Sequence, residues 1–169
     1  SGTNPKIPTT SIESGAWNAF RLGLWLPPQG ARFYPEVQFP QDGYSIDQFL
    51  RQQTPATGEE PNTLEYKAFM GQTTGELFKM IGPGILITHS NSGQYGWTTG
   101  MATPDLIKAI VAYEPAGFSF PESDPPADFP IRIPLVAERL KPQLVPSSEF
   151  QKLTRIPIVI YYGDNIARE

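Results

Sequence analysis

Short apolar runs alternate with polar, proline-rich stretches along this chain, and the two kinds of run predict different elements. The stretch Ala16-Trp17-Asn18-Ala19-Phe20-Arg21-Leu22-Gly23-Leu24-Trp25 is dense in large apolar groups and predicts a short helix from Gly15 to Leu26, ended by Pro27-Pro28. Residues 29–45 read as an aromatic loop, and Ser45 to Leu50 as a second short helix that stops before Pro55. Asn62 with Glu65 three residues later is a helix-start signature, in which the amide caps free N–H groups and the carboxylate reaches back. It predicts a helix over 63–81, ended by Gly82-Pro83-Gly84. Ile85-Leu86-Ile87-Thr88 is a short apolar run of the buried parallel-strand kind. A helix from Ser92 to about Ala102 and a strand over 107–113 follow. A proline-rich excursion over 116–155, with one helix near 135–140, leads to a last strand over 156–162.

Strands alternating with helices are the grammar of an open parallel α/β sheet. The expected parallel strands are 85–89, 107–113 and 156–162, with 13–62 as a lid or cap excursion and 63–169 as core strands and helices. The 13–62 and 116–155 excursions are expected to form a lid and the walls of an acyl pocket. Three visible strands make a poor independent sheet, because parallel strands are normally sheltered on both edges.

Composition narrows the function classes. Nineteen prolines in 169 residues exceed the usual share of about 5% and break regular structure where they cluster. The net charge of -4 argues against nucleic acid as a partner, since phosphate binding wants a basic face. No apolar run reaches the ~18 residues of a membrane span. With no cysteine and a single histidine, neither a disulfide nor a thiolate metal site is available, and no metal or organic cofactor is expected. The cysteine count fits a cytosolic or an exported protein alike, so the compartment stays open.

Candidate chemistry centres on Thr88-His89-Ser90-Asn91-Ser92-Gly93. A serine between a strand and a helix, with small residues two positions either side, matches the nucleophile elbow, where the sharp turn would make larger side chains collide. Ser90 can equally be a cap of the helix that follows it. The N–H of Asn91, the residue after the serine, would be one oxyanion donor. A serine hydroxyl needs a base, yet the only histidine is His89, one residue earlier on an extended strand and hence aimed at the opposite face. His89 reads as a histidine packed behind the elbow, and Tyr95 and Trp97 as core. The orienting acid belongs at the carboxyl end of a later strand, where both Glu114 and Asp164 stand.

Several segments together resemble a small group of microbial α/β-hydrolase serine esterases: Trp17 to Arg21, Val37-Gln38-Phe39-Pro40, His89-Ser90-Asn91-Ser92-Gly93-Gln94-Tyr95 and Val111-Ala112-Tyr113-Glu114-Pro115-Ala116-Gly117. In that family the elbow reads His-Ser-Gln-Ser-Gly, and the triad acid is a glutamate in a Glu-Pro-Gly turn. The resemblance therefore implies Ser90 as nucleophile and Glu114 as acid; Asp164, the alternative acid by its place at a strand end, then becomes structural or a residue near the site mouth. This chain departs at Asn91 and at Ala116, neither of which removes a group the mechanism needs. Such enzymes run to about twice this length, beyond the usual size of one domain. They carry an oxyanion loop upstream and a histidine downstream. The resemblance thus implies the central part of an α/β-hydrolase fold acting on a small-molecule ester. The rest of the same enzyme would be its partner, a homodimer is implied by analogy, and a downstream segment would supply the imidazole. The rivals are a non-catalytic binding module on the same scaffold and a related lactone or amide hydrolase.

Overall fold

The computed structural model describes residues 12–53, 60–127 and 141–163. The chain divides into two compact units, 1–60 and 61–169.

The first unit is built on aromatic rings. Helix α1 (Glu13–Ala19) ends where Arg21 takes a left-handed φ of 57°. Strands β1 (Gly23–Leu26) and β2 (Gly30–Phe33) then pair antiparallel. The helix expected to run on to Leu26 is thus corrected, and part of the expected aromatic loop is strand. The cause is non-local. The Asn18 side chain accepts from Trp25 N–H (2.8 Å) and donates to Trp25 C=O (3.2 Å), holding that residue extended. Gly23 also lets the two strands approach so closely that a Cβ there would strike Arg32 C=O. Trp17 is buried against Trp25 and Phe33, and Phe39, Phe49 and Phe20 continue the ring contacts to α2 (Gly43–Arg51). Asp42 caps α2 by accepting from Ser45 N–H at 2.9 Å, which lowers its carboxyl below the ordinary value.

The second unit holds the parallel sheet. Helix α3 (Leu64–Ile81) starts at Thr63, whose hydroxyl accepts from Tyr66 N–H at 3.2 Å. The cap is therefore one residue later than the Asn62 expected from Asn62–Glu65. Gly82 ends the helix at φ 91°. Strand β3 (Gly84–His89), helix α4 (Gly93–Ala102) and strand β4 (Ile107–Tyr113) follow, and after the excursion β7 (Ile158–Tyr161) completes the order β3-β4-β7, all parallel.

The described parts of the 116–155 stretch contribute to the core of this unit. Strands β5 (Ser119–Pro121) and β6 (Gln143–Val145) pair, and helix α5 (Ser147–Leu153) follows. Val145 and Leu153 join Phe78, Trp97, Met101, Ile107, Ile110, Ala112 and Ile156 in one cluster, with Phe118 and Phe150 packed against it. Trp97 and Tyr95 are buried as expected. The helix expected near 135–140 lies outside the described residues. Among the described residues, no helix is long and apolar enough to cross a membrane.

Helices α3 and α4 pack closely because α3 presents glycines to α4. A Cβ on Gly71 would lie 2.7 Å from the Thr98 carbonyl carbon, and one on Gly75 would overlap Thr103 Oγ1. These helices cover one sheet face only. On the other face Ile85, Ile87, Tyr113, Val159 and Tyr161 are exposed, so β3 is not the two-sided buried strand its apolar run suggests.

Candidate functional site

Register brings the candidate residues to one edge of the sheet. His89, Tyr113 and Tyr161 are aligned partners on β3, β4 and β7. Ser90 and Glu114 are each the next residue along, so they leave neighbouring strands at the same, carboxyl end. Strands in one sheet lie about 4.8 Å apart.

Both residues sit in strained backbone. Ser90 has φ 51° and Glu114 φ 42°, conformations that non-glycine side chains rarely adopt and that surrounding structure must enforce. The enforcing contacts join the two turns to each other. Ala116 N–H donates to Ser90 C=O at 2.8 Å. Gly93 opens α4 directly against Pro115, whose Cα would lie 2.7 Å from a Cβ there. Trp97 Nε1 reaches from α4 to donate to Gly117 C=O at 2.9 Å. Deeper in the turn, Gly96 lets α4 close on Thr88, whose Cγ2 would lie 3.0 Å from an added Cβ. Gly93 and Gly96 thus let α4 pack closely on the Glu114 turn and on Thr88.

The turn itself is a short 3-10 segment, Ser90–Ser92. Ser92 Oγ accepts from His89 N–H (2.9 Å) and donates to His89 C=O (2.8 Å). The His89 side chain in return accepts from Ser92 N–H. His89 is exposed on the open sheet face, which corrects the expectation of a histidine packed behind the elbow. The physical reason is alternation: positions 85, 87 and 89 share a face, and the helices cover the other. Next to the serine, Asn91 Oδ1 accepts from Gln94 Nε2 at 2.7 Å.

Glu114 is held from β7. Its N–H donates to Tyr161 C=O at 2.8 Å, and its Oε1 accepts from Gly163 N–H at 3.2 Å. The carboxylate opens on a pocket lined also by His89, Tyr113, Tyr161, Tyr162 and Gly163, with Tyr113 and Tyr161 stacked 5.1 Å apart. Partial burial pushes the Tyr162 phenol above its ordinary value. Ser90 stands beside this pocket at the end of the neighbouring strand rather than in its lining. Asp164 lies outside the described residues. The Gly163 donor and the His89 cap escaped sequence reasoning; only the alternation along β3 carried a signal for the second.

No family model matches this chain. It is 38% identical over 116 residues to a protein of a fungal species (strain ATCC 74256) named probable secreted lipase phiG. That match takes in 69% of this chain and 29% of the lipase. Among solved structures, a bacterial esterase superposes on 98% of the chain with a TM-score of 0.57 at 22% identity. The fold is α/β-hydrolase-like. The chain covers 41% of the esterase chain, so it spans well under half the length of either relative.

Proposed function

We propose that this chain is the central part of a serine ester hydrolase. The observation that carries the reading is the pair of strained turns, Ser90 after β3 and Glu114 after β4, tied by the Ala116 N–H to Ser90 C=O bond. Strained backbone persists only where surrounding structure enforces it and clusters at active sites, and a serine and a glutamate at neighbouring strand ends on a sheet's carboxyl edge supply two of the three members of an acyl-transfer triad. The kinship with a protein named as a lipase supports the same chemistry.

In this mechanism Ser90 Oγ attacks the ester carbonyl. An imidazole from a segment outside this chain takes the proton and returns it to the leaving alcohol, giving an acyl-enzyme that water then hydrolyses. Glu114 orients that imidazole and stabilises its charged form, while the Asn91 N–H donates to the oxyanion. His89 does not serve as the base, because its side chain is engaged with the turn through Ser92 N–H on the open face. The pocket beside Glu114 is the seat for the incoming imidazole, and the exposed face of β3, β4 and β7 is the seat for the rest of the same enzyme.

The test uses the full-length protein and a p-nitrophenyl ester. Ser90→Ala should lower turnover by on the order of 10^4 to 10^6, and a fluorophosphonate should label Ser90 in the parent only. Glu114→Gln should hurt far more than Asp164→Asn. The reverse ranking would move the acid to the later strand, and hydrolysis that survives Ser90→Ala would overturn the serine mechanism.

A further inference from the structure

We infer that Gly163 is a positioning residue for Glu114, acting through both its N–H and its lack of a side chain; the inference rests on the triad role proposed for Glu114. Two independent features of one residue point the same way. Its N–H donates to Glu114 Oε1 at 3.2 Å. A Cβ built on it would lie 2.7 Å from that same oxygen and 3.8 Å from the carboxyl carbon. That separation is shorter than any ordinary carbon–oxygen contact, so a side chain at 163 would make the Glu114 carboxylate shift from this position.

The end of β7 and the residues just after it therefore hold Glu114 at two points. Tyr161 C=O takes the backbone N–H, and Gly163, two residues on, takes Oε1. Glu114 itself holds a left-handed φ of 42°, and its Oε1 lies at the Gly163 N–H. With Oε1 committed to the backbone donor, Oε2 is the atom left for an imidazole N–H in the pocket. A carboxylate fixed through one oxygen presents the other at a defined angle, and orientation of this kind is where a displacement of about 1 Å costs on the order of 10^2 in rate.

Two arms test this in the full-length enzyme. In the kinetic arm Gly163→Ala should lower kcat/KM on the order of 10^2-fold and move the acid limb of its pH profile to lower pH. A displaced carboxylate no longer favours the charged imidazole, whereas a merely smaller folded fraction would leave the limb where it was. Adding Glu114→Asp, which shortens the side chain, should recover part of the loss, so that the double variant is less impaired than the two single losses multiply to. The second arm needs no activity. The Gly163 amide should exchange its hydrogen faster in Glu114→Ala than in the parent protein, because the residue is exposed and this bond is its protection. Unchanged exchange, or a Gly163→Ala enzyme with an unmoved acid limb beside a crippled Glu114→Gln, would overturn the positioning role alone. A silent Glu114→Gln would overturn it together with the triad reading beneath it.

Discussion

The two faces of the β3-β4-β7 sheet carry the same kind of side chain and meet different surroundings. On the covered face Ile110 and Ala112 are fully buried beneath α4 and α5, with Gly100 letting Leu153, Ile110 and Ile156 converge. On the other face Ile85 and Ile87 are 59% and 67% exposed, and Val159 and Tyr161 47% and 51%. Strands apolar on both faces belong to sheets sheltered on both sides. The difference teaches that the composition of this sheet is written for two layers of cover, of which the described residues supply one. The candidate site sits where the two regimes meet. Ser90 and Glu114 are braced from the covered side through Gly93, Gly96 and Trp97, while the pocket beside Glu114 opens among His89, Tyr113 and Tyr161 of the bare face.

Core truncation should read this contrast most strongly. Ile110→Ala in the 169-residue chain should cost about 2–5 kcal/mol in urea unfolding. Ile87→Ala, one strand away on the bare face, should stay within about 0.5 kcal/mol. In the full-length protein the second value should climb toward ~2 kcal/mol as that face acquires cover. Equal costs for both in the isolated chain would erase the distinction between the faces.

Much of the covered half was legible in sequence because it is local. Strand β4 runs over the 107–113 that its apolar run implied, and α3 begins one residue inside the predicted 63–81 span. The turn at Ser90 was signalled by the small residues around it, and the Glu114 turn by Pro115. What escaped depends on distant partners. Trp25 looked helical until Asn18 and the Gly23–Phe33 pairing made it extended. The β5–β6 pair joins segments separated by more than twenty residues, and nothing in Ser119–Pro121 alone announces Gln143–Val145. The exposure of His89 escapes a local reading because it depends on which sheet face the distant helices cover. Gly163 was invisible because its contribution is an N–H and an empty volume, neither of which a one-letter code displays.

A smaller effect comes from the helix layer. Gly71→Val should cost about 1–3 kcal/mol by overpacking, since its Cβ would meet the Thr98 backbone at 2.7 Å, and backbone cannot swing aside. Differential scanning calorimetry would register this as a lower midpoint. Gly82→Ala should also destabilise, but for a different reason: its φ of 91° strains any side chain although nothing stands within 4 Å. Shrinking the Thr98 side chain therefore rescues neither variant, since Gly71→Val meets backbone and Gly82→Ala is strained by its own φ. A Gly71→Val protein as stable as its parent would show that α3 and α4 do not pack at this distance.

The weakest effect separates the covered side from the pocket by the sign of a pH dependence. Lys67 on α3 is buried, and desolvation lowers its ammonium below the ordinary 10.5. Between that lowered value and 10.5 the unfolded chain binds more protons than the folded one, so stability rises with pH. Tyr162 beside the pocket is shifted the other way, raised above 10.0 by burial. Above 10.0 the folded state holds the extra proton, and stability falls as pH climbs toward the raised value. Lys67→Met should therefore raise the urea midpoint at neutral pH and flatten the rise on the approach to pH 10.5, leaving the decline at higher pH intact. Tyr162→Phe should do the converse, removing part of the decline and leaving the rise. Midpoints measured at closely spaced pH for both variants decide it: if Lys67→Met leaves the rising limb unchanged, the ammonium is solvated in the folded state and the cover over that part of α3 is thinner than the structure describes.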